Sequence, residues 1–274
     1  MKTLRAIFLV LMTLSFANKQ AEAAILPARV IFEKVVENNG ATPLQIETEV
    51  SLNSENTILL KELWKIDNSR NMQLTVINPA TQTVVFTAAI KEGVRTSSAS
   101  AKGDVGFDFI ERYHHFRSLN EMAKLFVSMG VVPNQFLNHS PFGSLRDSFT
   151  YKEEPFVRLA RAGGVINYHF GNIESSSSPA SLWIEQDAFH IRKIRLQSGA
   201  EIEFSDYSEI GKGQFYPKQK VVRWDGKEVK IRFKSVNPKL ATANARPTAD
   251  SAGWATLSDS NARSLAEEFY SRFR

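Results

Sequence analysis

Residues 201–236 read EIEFSDYSEIGKGQFYPKQKVVRWDGKEVKIRFKSV, and their apolar side chains recur at every second position. Ile202 and Phe204 alternate with Glu201, Glu203 and Ser205, while Val229, Ile231 and Phe233 alternate with Lys230, Arg232 and Lys234. Successive side chains of a strand point to opposite faces, so this pattern turns one face to an apolar interior and the other to water. Turn signals separate the runs at Ser198-Gly199, Gly211-Lys212-Gly213 and Trp224-Asp225-Gly226-Lys227. Asp-Gly suits a two-residue type I′ hairpin, in which both central residues take positive φ. Worked outward, Ser181 to Val236 reads as an antiparallel meander. A sheet greasy on one face must curl around something, either its own core or a ligand.

Toward the N-terminus, Ala28, Ile31, Phe32, Val35 and Val36 form an apolar helical stripe that Gly40 ends. Leu44 to Leu52 alternates as a strand with one wet face. Further strands are expected near Ile58–Ile66, Met72–Ile77 and Thr83–Ile90, divided by Asp67-Asn68-Ser69 and Asn78-Pro79 turns. Ser118-Leu119-Asn120-Glu121 is a capping box, and Leu119, Met122, Ala123, Phe126 and Val127 then recur at helical spacing. A short helix is also expected over Phe107–Phe116, a long loop over Pro133–Tyr151, and strands at Phe156–Ala160 and Val165–Phe170. Residues 238–258 have a linker composition, and Ala262, Leu265, Ala266, Phe269 and Phe273 share one face of a closing amphipathic helix over 259–274.

Lys2 and Arg5, the apolar run Ala6–Phe16 and Ala21-Glu22-Ala23 have the form of a cleaved export signal over 1–23. The apolar run is about half the roughly 20 residues that cross a bilayer. An exported, soluble, periplasmic protein is expected, with 24–237 as its main domain. The chain has no cysteine, so neither disulfides nor a cysteine-linked lipid anchor is available. Of 34 basic and 29 acidic residues, Lys2, Arg5, Lys19 and Glu22 fall in the signal, which leaves the mature chain at about +3. The charges are interspersed along strands, which argues for a solvated surface and against a nucleic-acid groove.

Motifs for chemistry are missing. His114 and His115 are adjacent and point different ways, and His139, His169 and His190 lie far apart. The sequence holds no H-E-x-x-H, G-x-S-x-G or G-x-x-x-x-G-K-[ST]. Glu62, Glu185, Glu203 and Asp206 are read as members of solvated strand faces. Trp64, Trp183 and Trp224 lie on strands, where large aromatics either fill a core or line a cavity for acyl chains.

The stretches Leu182-Trp183-Ile184-Glu185-Gln186-Asp187, Ile194-Arg195-Leu196, Glu201 to Tyr207, Tyr216-Pro217 and Val229 to Phe233 resemble the second half of the LolA/LolB-like carrier superfamily. The order of helix, meander and covering helices also fits. The resemblance implies an open β-barrel with a helical lid that holds acyl chains while a lipoprotein or lipid crosses the periplasm to the outer membrane. Without a lipid-attachment cysteine the chain is more like the soluble carrier than the membrane-held acceptor. The family's polar residue that governs lid opening has no matching motif here, and Arg70, Arg95 and Arg112 all remain candidates for it.

The expected fold is α+β, a strongly curved antiparallel sheet forming an incomplete barrel around helices at about 28–39 and 105–129. The expected function is binding of lipid or lipoprotein acyl chains in its hollow, by a monomer that needs no cofactor or metal and performs no catalysis. Expected contacts are Trp64, Leu74, Val76, Val85, Trp183, Ile202, Phe204, Trp224, Ile231 and Phe233, with Phe116 and Phe126 as lid or plug; a register slip turns any strand residue outward. One rival is a periplasmic sensor that detects lipoproteins and signals to an inner- or outer-membrane partner protein through its terminal helix. Another is an envelope hydrolase, which a spatial cluster of two carboxylates or three histidines in a cleft would favour.

Overall fold

The computed structural model describes residues 25–40, 43–52, 58–98, 103–138, 154–171, 180–237 and 253–274. The segment read as an export signal, residues 238–252 of the linker and most of the loop from Pro133 to Tyr151 lie outside the described residues.

Among the described residues thirteen strands form one antiparallel sheet. They are β1 Leu44–Leu52, β2 Ile58–Asn68, β3 Asn71–Asn78, β4 Thr83–Lys91, β5 Val94–Ser97 and β6 Gly103–Asp104, then β7 Val157–Ala162, β8 Val165–Phe170, β9 Ser181–Glu185, β10 Ile191–Arg195, β11 Glu201–Gly211, β12 Gln214–Trp224 and β13 Lys227–Asn237. The spatial order is β6-β5-β4-β3-β2-β1-β13-β12-β11-β10-β9-β8-β7. Two meanders therefore fuse where β1 meets β13, with Val50 opposite Ile231 and Leu52 opposite Val229. The sheet curves but does not close, and among the described residues β6 and β7 are its edge strands.

Alternation decides which side of each strand is buried. Along β1, Leu44, Ile46, Thr48, Val50 and Leu52 face inward between half-buried polar neighbours. The β12–β13 hairpin has Trp224 opposite Lys227, with φ of 45° at Asp225 and 73° at Gly226, as a type I′ turn requires.

Helix α1 spans Ala28–Asn39, α2 Leu119–Ser128 and α3 Ser260–Phe273. Ser118 caps α2 by accepting the Glu121 N–H at 3.2 Å, and Asp259 caps α3 by accepting from Asn261 and Ala262. Each such cap contributes about 1 kcal/mol. Phe32 of α1 packs against Phe126 of α2, Phe136 and Phe170, with ring centroids 5.5, 5.3 and 5.0 Å apart.

Two local expectations need correcting. The helix expected over Phe107–Phe116 is a single 3₁₀ turn, Glu111–His114. Phe109, Ile110, Glu111, Tyr113, His114, His115 and Phe116 are all buried. A regular helix would bury only one stripe, so tertiary contacts on every side override local propensity here. In the linker, Gly253–Thr256 forms a 3₁₀ turn whose Trp254 stacks on Phe86 at 5.7 Å and meets Tyr270 at 5.0 Å. Among the described residues no helix is long and apolar enough to cross a membrane.

Candidate functional site

The concave face of the sheet gathers most of the residues picked out from the sequence. Trp64, Leu74, Val76, Val85, Phe116, Phe126, Ile202, Phe204, Trp224 and Ile231 are all buried, and Phe233 is partly buried against Tyr216 at 5.5 Å. Trp183 is the exception. Its neighbours Leu182 and Ile184 point inward, so strand parity sends Trp183 to the outer face. There it stacks on His169 at 4.4 Å, with the Lys193 ammonium 5.5 Å from its ring.

Among the described residues, the part of this face that carries these side chains is covered by the protein itself. A side chain lining a space wide enough for a hydrocarbon tail would keep accessible surface, yet Trp64, Val76, Phe126 and Ile202 keep none (0 % exposed). Helix α3 does much of the covering. Phe269 and Phe273 meet Trp224 at 6.1 and 4.9 Å, and Tyr270 meets Phe86 at 5.3 Å. Elsewhere Phe109 covers Trp64 at 6.2 Å and His114 covers Phe204 at 4.6 Å.

Polar contacts fasten α3 around its rim. Arg95, on β5, donates to the carbonyls of Tyr270 (2.6 Å) and Ser271 (2.5 Å). Among the described residues Arg95 is the one of the three candidate lid arginines that hydrogen-bonds α3; Arg70 donates to the Glu92 carbonyl and Arg112 to those of Val105 and Gly106. Trp224 Nε1 donates to Glu268, Lys227 pairs with the same carboxylate, and Arg272 pairs with Asp108 at 2.5 Å.

Beneath the end of α3 lies a cluster of buried charges. Glu62 is fully buried, which corrects its assignment to a solvated face: on β2 it shares the inward side with Leu60, Trp64 and Ile66. Its carboxylate accepts from Thr48 Oγ1 at 2.7 Å, Trp64 Nε1 at 3.1 Å and Arg274 Nε at 2.9 Å. Glu111, also fully buried, accepts from Lys220 Nζ at 2.8 Å and Tyr216 Oη at 2.6 Å, and its Oε1 lies 3.1 Å from His115 Nε2. Arg274 Nη1 lies 3.7 Å from the second carboxylate, which links the two pairs.

Burial pushes the Glu111 carboxyl up, but Lys220, the His115 hydrogen bond and Arg274 outweigh it and hold the group well below the usual range. Burial pulls the Lys220 ammonium down to about 8 against the attraction of Glu111. The same desolvation, with Lys220 adding to it, keeps His114 neutral at ordinary pH; His115 is lowered by burial although Glu111 opposes the shift.

No protein-family model matches the chain, and no curated protein matches it significantly. Solved structures do resemble it. A LolA superfamily protein from Nitrosomonas europaea aligns at 14% identity over 84% of this chain and 98% of its own, with a TM-score of 0.47. A domain assigned to outer membrane lipoprotein sorting from Vibrio parahaemolyticus aligns at 10% identity over 76% and 91%, with a TM-score of 0.43. A DUF1329 family protein from Desulfovibrio piger aligns at 11% identity over 81% and 97%, with a TM-score of 0.45.

The fold does bring two carboxylates and two histidines together, as a hydrolase would need, but inside the protein and not in a cleft. Glu62 and Glu111 are each neutralised by a buried cation, and no group among the described residues has the make-up of a metal site. Sequence reasoning missed Lys220, Tyr216, Arg274 and the inward role of Glu62. Parity was the usable signal: Glu62 keeps step with Leu60 and Trp64, and Lys220 with Val222 and Trp224.

Proposed function

We propose that the protein binds the acyl chains of a lipid or lipoprotein on the concave face of its sheet, in exchange for α3, and carries them across the periplasm. One observation supports this most strongly. An unclosed sheet presents a broad apolar face, and a separate amphipathic helix that follows the strands in sequence covers part of it. Such a helix is a resident occupant of the greasy surface and can be replaced by another apolar body.

The magnitudes allow the exchange. Uncovering Phe269, Tyr270 and Phe273 costs about 1.5–3 kcal/mol each, roughly 5–9 kcal/mol together. Transferring about ten methylenes of one acyl chain out of water returns about 8 kcal/mol, which offsets this apolar part of the cost but not the polar contacts of Arg274 and Arg95. A second chain roughly doubles the gain, so multiply acylated cargo displaces the helix and short single-chain molecules bind weakly. Residues 1–23 would direct export, and Arg95 would act as the fastening released on opening.

Native mass spectrometry of the protein recovered from the periplasm of expressing cells tests this reading. The expected result is a fraction carrying the added mass of a diacyl lipid or acylated peptide. Protein that stays bare after incubation with such lipids would overturn it.

A further inference from the structure

The buried charges show which ligand the concave face would accept. The guanidinium of Arg274 is held by Glu62 and lies 5.5 Å from the ring of Trp64 and 5.2 Å from that of Phe269. It therefore sits between a carboxylate and aromatic faces, a setting suited to a cation. Two elements of this setting belong to the sheet: Glu62 and Trp64 are both on β2, and Thr48 on β1 orients the carboxylate. When α3 leaves, they stay.

The charge balance then changes. With α3 in place, Glu62 and Glu111 face Arg274 and Lys220. Lys220 and Glu111, 2.8 Å apart with α3 docked, both lie outside α3, whereas losing Arg274 takes from Glu62 its hydrogen-bonded cation and leaves it the neutral donors Thr48 and Trp64 and the more distant charge of Lys220, which Glu111 already engages. A buried carboxylate without a cation is strongly unfavourable. An occupant that brings only hydrocarbon satisfies the apolar wall and leaves this charge exposed to it.

We infer that the occupant which replaces α3 is a cationic amphiphile, a lipid whose polar end carries an unmasked ammonium or guanidinium that takes the place of Arg274 on Glu62. This rests on the acyl-binding reading and narrows it to a head-group class. General electrostatics work against such a preference, because the whole chain carries a net charge of +5. A selectivity for cations would thus have to come from the site.

Binding of three probes of equal chain length tests it: hexadecylammonium, hexadecanol and hexadecanoate, each below its micelle-forming concentration. Tryptophan emission is the readout, since Trp224 and Trp254 both touch α3. The ammonium is expected to bind at least tenfold tighter than the alcohol and the carboxylate weakest; Glu62→Gln should bring the ammonium down to the level of the alcohol. Arg274→Met, which leaves Glu62 in place and removes its competitor, should raise affinity for the ammonium more than for the alcohol. Equal binding of all three probes to the unaltered protein, or a preference that survives Glu62→Gln in a folded variant, overturns the head-group inference and leaves acyl binding standing. Failure of every probe, and of diacyl lipid, to bind overturns the acyl-binding reading itself.

Discussion

Arg274 Nε lies 2.9 Å from Glu62 Oε1 across 212 residues of sequence, and neither side chain has any exposure to solvent. The pair ties the end of α3 to the middle of β2. Removing one partner of a buried ion pair strands the other and costs about 3–5 kcal/mol, whereas replacing both with apolar groups of similar volume is often neutral or better. Arg274→Ala is therefore expected to lose that amount in urea denaturation. The double variant Glu62→Leu, Arg274→Met should be more stable than either single change. A double variant as weak as the worse single one would show that the pair contributes more than mutual neutralisation.

Arg95 puts a positive charge and two donors on the last carbonyls of α3, where the helix dipole is negative. Arg95→Ala should destabilise the docked helix by about 1–2 kcal/mol. Amide exchange within Ser260–Phe273 should quicken, and exchange in β12 should not. Equal acceleration in both would mean that Arg95 supports the whole domain.

Acid should weaken the protein before its carboxylates titrate. His114, His115 and His169 all have depressed affinities for protons, His169 to about 4, chiefly through burial. The unfolded chain takes up these protons near 6.5 while the folded one does not, so stability is full above that value and falls as pH drops below it. Glu111 adds a further loss below about 4.5, because its folded form resists the proton that the unfolded form accepts. His114 packs edge-on to Phe204 at 4.6 Å, so His114→Phe keeps an aromatic body without a titrating nitrogen. Between pH 6.5 and 5 the variant should lose stability less steeply by up to about 1.4 kcal/mol per pH unit, the slope of one proton. Urea midpoints at several pH values would show parallel curves if His114 played no part.

Trp183 and Trp224 make a matched comparison of the two faces of the sheet. Trp224→Ala removes a buried ring from Phe269 and Phe273 and should cost about 3–5 kcal/mol. Trp183→Ala removes an outer-face stack on His169 and should cost about 1 kcal/mol. Equal losses in thermal or urea unfolding would contradict the assignment of faces.

The sheet was legible because period-2 patterning is local: the alternation of Ile202 with Glu203, or Val229 with Lys230, fixes a face without knowledge of the partner strand. The Ser118 cap and the Asp225-Gly226 turn were legible for the same reason. The charge of Glu62 points to water while its parity with Leu60 and Trp64 points inward, and the counter-ion that resolves the conflict lies too far along the chain for any local pattern to disclose. The amphipathic face of α3 could be read from Ala262, Ala266, Phe269 and Phe273, but not the surface it covers. That surface depends on the β1–β13 junction, which joins the two halves into one curved sheet.

Hydrogen–deuterium exchange across α3, with and without a diacyl lipid, tests the exchange mechanism most directly. The expected result is that lipid speeds amide exchange within Ser260–Phe273 while β2 and β12 keep their protection. Lipid that binds and leaves α3 as protected as before would contradict it.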